Sequence, residues 1–410
     1  MTDDRARVVV TGLGVVSPAG LRHGALWSAA AERRSCIRPI TRFDATTFGC
    51  RRAGEFADFA AEEFVDRRVI KQTDRGTHLG MAACSIAVKD AAIELAAIDR
   101  RELGMYFGNV FGGMEFAEPE LFAQSFLGPS RVSAYQSIAW FYAATQGQWS
   151  IAHDVRGIGK TLVGDSAGGL QALLLGMKAI RQGHATWMLA GGFEAPLAPY
   201  VFAIHESSGR LAVGDAAYAP FDRRAAGTFL AEAACVLLLE TLESALRRGV
   251  RIYAELAGGA MNIDAGPGAH DDTGAGLATC IEEALEDAEA RSDDVAHVLP
   301  DATGIRELDA RDVRAMAHVF RNCGDLPPVG TPKAVIGHAL AAAGPLDAAW
   351  AAMMLHAGTH VDGCAPLAPI ADPRLRFARG GARLEGNAIL CFGSGWQGLN
   401  AAILLRRHGD

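Results

Sequence analysis

The strongest constraint on the fold of this chain is a strand-like run that is followed by a glycine-flanked turn and then by a helix with one apolar stripe. The turn is Gly164-Asp165-Ser166-Ala167-Gly168, and the run Thr161-Leu162-Val163 precedes it. Apolar residues then recur at helical spacing at Leu170, Leu173, Leu174, Met177 and Ile180. A strand that feeds a helix with one apolar stripe is typical of a unit in which the helix packs back on a sheet.

The same alternation of strands and helices continues along the chain. Short apolar runs predict buried strands over 7–14, 186–194, 233–240, 253–257 and 296–299. Helical spacing predicts a long helix over 70–97 and further helices over 274–288 and 309–321. We therefore predict an α/β fold of two similar halves, residues 1–252 and 253–410.

Composition and charge favour a globular, enzyme-like protein. Of 410 residues, 50% are hydrophobic and 21% are charged, and the formal net charge is -8 with both signs interspersed. This balance argues against nucleic acid as a main partner. No apolar stretch approaches the roughly 18 residues of a membrane-spanning helix, and the first residues lack the layout of a signal peptide. We expect a cytoplasmic protein that does not bind a membrane.

The cysteines and glycines indicate neither a metal site nor a nucleotide site. No C-x-x-C pair is present, so we expect reduced core thiols rather than metal ligands or disulfides. The glycine-rich segments 12–20 and 107–113 do not form G-x-G-x-x-G in a dinucleotide-binding context. We expect no metal and no cofactor. The eight cysteines are Cys36, Cys50, Cys84, Cys235, Cys280, Cys323, Cys364 and Cys391.

The glycine-flanked turn also fits the G-x-S-x-G pattern of serine hydrolases, with Ser166 as the nucleophile. A serine hydroxyl needs a base, usually a histidine that a carboxylate holds. Asp301 or Asp309 followed by His338 satisfies the chain order, but 111–114 is a poor match to the oxyanion loop of such enzymes. A hydrolase or acyl transferase that uses Ser166 stays open as an alternative.

A second candidate site lies in TPKAVIGHALAAAG, residues 331–344. Lys333 and His338 precede a run of small residues at the start of a predicted helix. A histidine there can donate to a developing oxyanion, and a nearby lysine can fix its environment. The alternative is a buried structural histidine with a solvated lysine. The glycine-dense segment 391–400, CFGSGWQGLN, is either a ligand-approaching loop or a bulged hairpin.

Together these segments resemble the β-ketoacyl synthase family across essentially the whole chain. Residues 8–20 resemble its opening strand and turn, 331–344 its T-K-x-x-x-G-H-x-x-x-A-A-G motif, and 391–400 its F-G-F-G-G-T-N turn. Residues 219–240 resemble its R-P-F-D…E-G-A-G segment. The resemblance implies a thiolase-like five-layer α/β/α/β/α fold of two pseudo-repeated halves. It also implies a cysteine nucleophile at a helix start and two histidines that polarise a thioester carbonyl.

The sequence departs from this family at two of the three catalytic positions. Ser166 stands at the cysteine position, and Asp301 stands at the first histidine; His338 and Lys333 match the second histidine and its lysine. A helix dipole cannot lower the pKa of a hydroxyl far enough to make it a nucleophile. A carboxylate at Asp301 also opposes a developing negative charge. We therefore expect no catalytic residue here: Ser166, Asp301, His338 and Lys333 are vestigial.

One subfamily resembles this chain over a long segment. Residues 132–157, VSAYQSIAWFYAATQGQWSIAHDVRG, and DSAGGLQAL at 165–173 are similar to chain length factors, the ketosynthase β-subunits of type II polyketide synthases. That resemblance implies a heterodimer with a cysteine-bearing ketosynthase, transient visits by acyl carrier protein, and a growing acyl chain at the interface. Many chain length factors carry glutamine at Ser166, so its absence argues against malonyl decarboxylation. A stand-alone decarboxylase-like homologue is a further alternative.

The resemblance also implies which residues contact the partner and the chain. The aromatic segment around 135–142 is expected at the heterodimer surface, since buried aromatic residues anchor stable interfaces; its residues are Tyr135, Trp140, Phe141 and Tyr142. Met114, Ala117 and Leu121 share a helical face and match the tunnel gate, with Phe116 beside them. An ordinary core stripe is the alternative. Small or flexible gate residues predict a longer or straighter channel, suited to an extended reduced or polyene chain.

Overall fold

Strands and helices alternate through the computed structural model, which describes residues 5–214, 216–264, 271–361, 365–370, 372 and 374–409. The strands are β1 (Val8–Ser17), β2 (Gly20–Leu21), β3 (Ile37–Pro39), β4 (Arg52–Gly54), β5 (Leu103–Gly108), β6 (Gly159–Leu162), β7 (Trp187–Glu194), β8 (Ala233–Thr241), β9 (Ala254–Ile263), β10 (Val295–Leu299), β11 (Ala388–Ser394) and β12 (Leu399–Arg406). The helices are α1 (Arg22–Ala31), α2 (Arg67–Ile70), α3 (Arg75–Asp90), α4 (Met114–Phe122), α5 (Gln136–Ala139), α6 (Ala144–His153), α7 (Gly168–Arg181), α8 (Pro199–Ser207), α9 (Leu242–Arg248), α10 (Ala275–Asp287), α11 (Arg306–Val319) and α12 (Ala343–Ala357).

The two halves of the chain repeat one sheet topology. In the first half the order is β6-β5-β7-β8-β1, in which β6, β5 and β7 are parallel and β8 is antiparallel to both of its neighbours. In the second half Val329 bridges β10 in parallel, and the order continues β10-β11-β12-β9 with β12 antiparallel to both neighbours. Each half therefore places its first strand beside its last, and the predicted pseudo-repeat is confirmed.

The halves join edge to edge and enclose two helices. Residues Val8 to Val10 of β1 pair with Leu256 to Ala254 of β9, so one sheet runs through both halves. Helices α7 and α12 pack on strands of both halves and form the middle layer. Helix α3 covers the outer face of the first half, and α10 and α11 cover that of the second. This arrangement is the predicted five-layer α/β/α/β/α fold.

The apolar patterns explain the middle layer. The stripe from Leu170 to Ile180 is buried on α7, as its period predicts. Helix α12 is apolar on all sides and nearly every residue is buried, including Trp350, because it lies between two sheet faces. The predicted helix over 70–97 is wrong in length: the Asp74 carboxylate caps α3, which ends at Asp90.

The thiols and the surface agree with a packed core. Seven cysteines are free, and all but the half-exposed Cys323 are buried; Cys364 lies outside the described residues. Burial raises the pKa of the Cys84 thiol, so it is held as a neutral core group. Across the described residues, no helix is both long and apolar enough to cross a membrane.

Candidate functional site

The glycine-flanked turn places Ser166 at the start of a buried helix. Strand β6 ends at Leu162, Asp165 adopts a φ of 52°, and Ser166 is 2% exposed in a short 3-10 turn before α7. Gly169 allows the helix to approach the second half closely, because a Cβ there would lie 2.0 Å from the Ala341 carbonyl oxygen. The sequence therefore builds the strand-to-helix elbow of a nucleophile.

The Ser166 hydroxyl is bound to the backbone of the 391–400 hairpin. Its Oγ donates to the Ser394 carbonyl oxygen at 3.1 Å. The Asp165 carboxylate accepts the N–H of Ser166 at 2.9 Å and that of Trp396 at 2.6 Å, which fixes the hairpin on the elbow. The proton that a base would have to remove is thus donated to a carbonyl group.

Asp301, His338 and Lys333 form one buried network beside this elbow. His338 Nε2 lies 2.9 Å from Asp301 Oδ1, and the two side chains are only 4% and 3% exposed. Asp301 Oδ2 accepts the Ser394 N–H at 3.3 Å, so Ser394 links the network to Ser166. Lys333 Nζ donates to the carbonyl oxygens of Pro300 and Asp301, at 2.9 and 2.7 Å.

Electrostatics hold Asp301 in its ionised form. Burial raises the pKa of this carboxyl, but its interaction with His338, including the hydrogen bond from the ring, and the charge of Lys333 outweigh burial and lower the pKa overall. Lys333 also pairs with Asp347 at 2.5 Å, where burial raises the pKa of Asp347 to about 7. A fixed negative charge therefore stands next to the elbow.

This geometry does not provide the proton transfer that a serine nucleophile needs. His338 Nε2 is bound to Asp301, and its Nδ1 accepts the Leu340 N–H at 3.3 Å. The carboxylate of Asp309, the other aspartate considered for a triad, accepts the N–H groups of Phe221 and Gly304. Because both ring nitrogens of His338 have partners other than Ser166, the structure does not bring the three residues together as a catalytic triad.

The predicted gate residues lie on α4, which follows β5 through a glycine-rich turn. Ala117 is 2% exposed, Met114 and Phe116 are half-buried, and Leu121 is exposed. The helix lies beside the predicted interface segment, because the Gly113 N–H donates to the Trp140 carbonyl oxygen at 3.2 Å.

The predicted interface residues belong to a larger apolar surface. Tyr135, Trp140 and Phe141 are exposed, and Tyr142 is half-buried. Sequence reasoning missed the exposed side chains that extend this surface along 122–127, where the rings of Phe122 and Phe126 are in tilted contact at a centroid distance of 4.7 Å. We call the whole surface the apolar band: Leu121, Phe122, Phe126, Leu127, Tyr135, Ile138, Trp140 and Phe141.

Comparison with known proteins decides the family. The model described as "Beta-ketoacyl synthase, N-terminal domain" matches residues 5–245, and "Beta-ketoacyl synthase, C-terminal domain" matches 253–363. The chain belongs to the β-ketoacyl synthase family. It is 37% identical to the "Actinorhodin polyketide putative beta-ketoacyl synthase 2" of Streptomyces coelicolor over 98% of both chains. It is 36% identical to the "Tetracenomycin polyketide synthase ketoacyl synthase beta subunit" of Streptomyces glaucescens, over 98% of this chain and 99% of that one.

A solved structure extends the similarity to three dimensions. "The ishigamide ketosynthase/chain length factor" matches with a TM-score of 0.93 at 26% identity, over 99% of this chain and 100% of that chain. The β-ketoacyl synthase fold thus carries Ser166, Asp301 and His338 at the elbow described above. In the described part of the chain, no group of three or more histidine, cysteine, aspartate or glutamate side chains is arranged to hold a metal ion.

Several residues of the site gave no sequence signal. Trp396 binds Asp165 through its N–H and lies against the Arg210 guanidinium, but its neighbours are distant in sequence. Two buried carboxylates, Asp74 and Glu194, hold backbone N–H groups around the start of α4. The sequence pattern that indicates a buried hydrogen-bond acceptor of this kind is a single acidic residue in an apolar segment.

Proposed function

We propose that this chain is the non-condensing chain length factor of a type II polyketide synthase. The observation that carries the proposal is the Asp301–His338 pair beside Ser166, since it occupies the site of the condensation reaction without a thiolate or a free imidazole. The similarity to a ketosynthase β-subunit and to a ketosynthase/chain length factor supports it. Catalysis then belongs to a partner subunit, and Ser166, Asp301, His338 and Lys333 have a structural role.

The partner in this proposal is a cysteine-bearing ketosynthase that covers the apolar band. Exposed aromatic side chains such as Trp140 and Phe141 are suited to the centre of a stable interface. Among the described residues, β6 is the outermost strand of the first half-sheet and pairs with β5 on one side. Its outer edge is therefore available to a partner near Val163, which is exposed. Acyl carrier protein visits the complex transiently, and the growing acyl chain lies at the interface.

In the same proposal α4 closes the acyl tunnel and sets product length. Met114, Ala117 and Leu121 form the gate with Phe116 beside them, and Ala117 gives the tunnel room because its side chain is a single methyl group. We propose a long or straight channel that takes an extended, reduced chain such as a polyene. We also place the protein in the cytoplasm, which the free thiols at Cys84 and Cys235 support.

The test is product analysis of the reconstituted heterodimer with its carrier protein. Ala117→Phe and Met114→Trp fill the gate, so each should shorten the principal product. Ala31→Phe adds the same volume at an exposed helix end of α1 and serves as the control. Unchanged product length in both gate variants, with the heterodimer intact, would overturn the gate assignment.

A further inference from the structure

The gate helix α4 is sparsely packed for an element that must hold a fixed position. Of its 9 residues, Ala117 is the buried one. A cavity of about 510 Å³ lies on the side of Phe116 and Pro119, and a second of about 390 Å³ lies between Glu115, Phe122 and Pro199. Within this chain, apolar contacts therefore specify the position of α4 weakly, because packing specifies a helix position through buried contacts.

Polar groups at both ends of α4 supply the missing restraint. Near the start of the helix, Glu115 forms an ion pair with Arg42. Farther along, Glu118 accepts the Tyr200 N–H at 3.2 Å, and Glu120 accepts the Ser133 N–H at 2.6 Å. These three carboxylates are on α4 itself and reach out to surface segments.

One restraint comes instead from the core of the first half. Asp74 is 3% exposed, and its carboxylate joins two helix starts: Oδ1 accepts the Gly76 N–H of α3 at 2.8 Å, and Oδ2 accepts the Phe116 N–H of α4 at 2.9 Å. Gly113 makes this approach possible, because a Cβ there would lie 2.7 Å from the Asp74 Cβ. A carboxylate at two helix N-termini is well suited to their free N–H groups and partial positive charge.

The position of α3 makes Asp74 a rigid reference point. Helix α3 packs on β1, β7 and β8, with 12 of its 16 residues buried. The Asp74–Phe116 bond therefore connects the first turn of the gate, including Met114 and Ala117, to a firmly packed helix of the first half. The preceding turn is held in the same way, since Glu194 at the end of β7 accepts the N–H groups of Val110 and Phe111 at 2.8 and 3.2 Å.

We infer that Asp74 is a positioning residue for chain length: by binding α3 and the gate helix with one carboxylate, it fixes Met114 and Ala117 in the acyl tunnel. The inference rests on the proposed function of those gate residues. In this role Asp74 does not contact the acyl chain; it holds in place the helix whose side chains do.

Asp74→Asn is designed to keep one of the two hydrogen bonds of this carboxylate and to remove the other. Asparagine is as good an N-cap as aspartate, so the amide oxygen keeps the Gly76 N–H of α3. The amide NH2 group then faces the Phe116 N–H, and the bond to α4 is lost. With the intact heterodimer and carrier protein, we expect the share of off-length products to rise by about fivefold, the factor that corresponds to the loss of one helix cap.

Asp66→Asn is the matched control, because Asp66 caps α2 by accepting the Arg68 N–H at 2.7 Å and does not bind the gate helix. It should leave the length distribution unchanged. If Asp74→Asn does not co-purify with the ketosynthase, Asp74→Ser carries the test, since a hydroxyl still caps α3 but offers no second acceptor on the far side.

The outcomes separate this inference from the proposed function. A shift with Asp74→Asn and with Ala117→Phe supports both. A shift with Ala117→Phe and none with Asp74→Asn contradicts the positioning role alone. No shift with either variant means that α4 is not the gate, and the proposed gate is then wrong together with the inference.

Discussion

Two buried carboxyl groups, Asp165 and Asp301, set the electrostatic surroundings of Ser166. Asp165 and Asp301 lie close enough that Asp301 helps burial to raise the pKa of the Asp165 carboxyl. A thiolate at position 166 would add a further negative charge next to these two carboxylates. The helix dipole of α7 favours such a charge, but the nearby carboxylates oppose it.

The first prediction concerns these residues. Ser166→Cys should give a thiol that reacts slowly with iodoacetamide and restores no condensation in this subunit, because Asp301 disfavours its ionisation. Ser166→Cys with Asp301→His removes that charge, and alkylation should then be at least about tenfold faster. Alkylation rates by mass spectrometry check the prediction, with the six thiols that are buried among the described residues as the internal control. Equal rates in the two variants would mean that Asp301 is electrostatically irrelevant.

At the scale of elements, the turn between β5 and α4 depends on a buried carboxyl whose ionisation is unfavourable. Burial raises the pKa of Glu194 to about 8, although the N–H groups of Val110 and Phe111 partly offset this. In the unfolded chain a glutamate ionises near pH 4.3. The folded state therefore holds more protons between these values, so stability is present at low pH and is lost as the pH rises through about 8.

Glu194→Gln should flatten that dependence. The amide oxygen of glutamine still accepts a hydrogen bond from the turn, but the side chain no longer titrates. The unfolding free energy should therefore fall less steeply between pH 5 and pH 8, by up to about 1.4 kcal/mol per pH unit. Glu243→Gln on the surface of α9 is the control, because its side chain is 79% exposed. Denaturation midpoints across the pH range test this, and parallel curves for Glu194→Gln and the unmodified chain would contradict it.

Some features of these elements could be predicted from the sequence, and others could not. The stripe on α7 and the short apolar strands were predictable, because burial against a sheet imposes a period that local sequence displays. The bounds of the helix predicted over 70–97 were not, since Asp74 caps the start of α3 and the helix ends at Asp90. Glu194 and Trp396 bind groups that are distant in the chain, and such long-range backbone contacts leave no local pattern.

For the whole molecule, the two similar halves followed from the alternation of strands and helices, and the five-layer arrangement followed from the resemblance. Strand and helix alternation predicted an α/β class, but the edge-to-edge joining of β1 and β9 needs pairing partners that are far apart in sequence. The division at residues 252 and 253 stays a prediction. The site shows the same limit: Asp301 and His338 are 37 residues apart within the second half, and their pairing becomes visible when that half is folded.

The last prediction concerns the apolar band. Phe141 is 54% exposed within the apolar band, so Phe141→Asp places a charge where the proposed partner must exclude water. We expect the dissociation constant of the heterodimer to rise by about 30-fold or more, as for an interface hot spot of about 2 kcal/mol. Phe141 is preferable to Trp140 because the Trp140 ring also packs edge-to-face on Tyr142, at a centroid distance of 5.8 Å.

Leu367→Asp provides the matched control for this experiment. Leu367 is 86% exposed in the second half, outside the apolar band, so the substitution adds the same charge at another exposed apolar site. Pull-down and sedimentation with the ketosynthase measure the association, and the melting temperature of each free subunit shows that it is folded. Undiminished association of a folded Phe141→Asp variant would place the partner on another face, because a carboxylate cannot be buried in an apolar interface without a large desolvation cost.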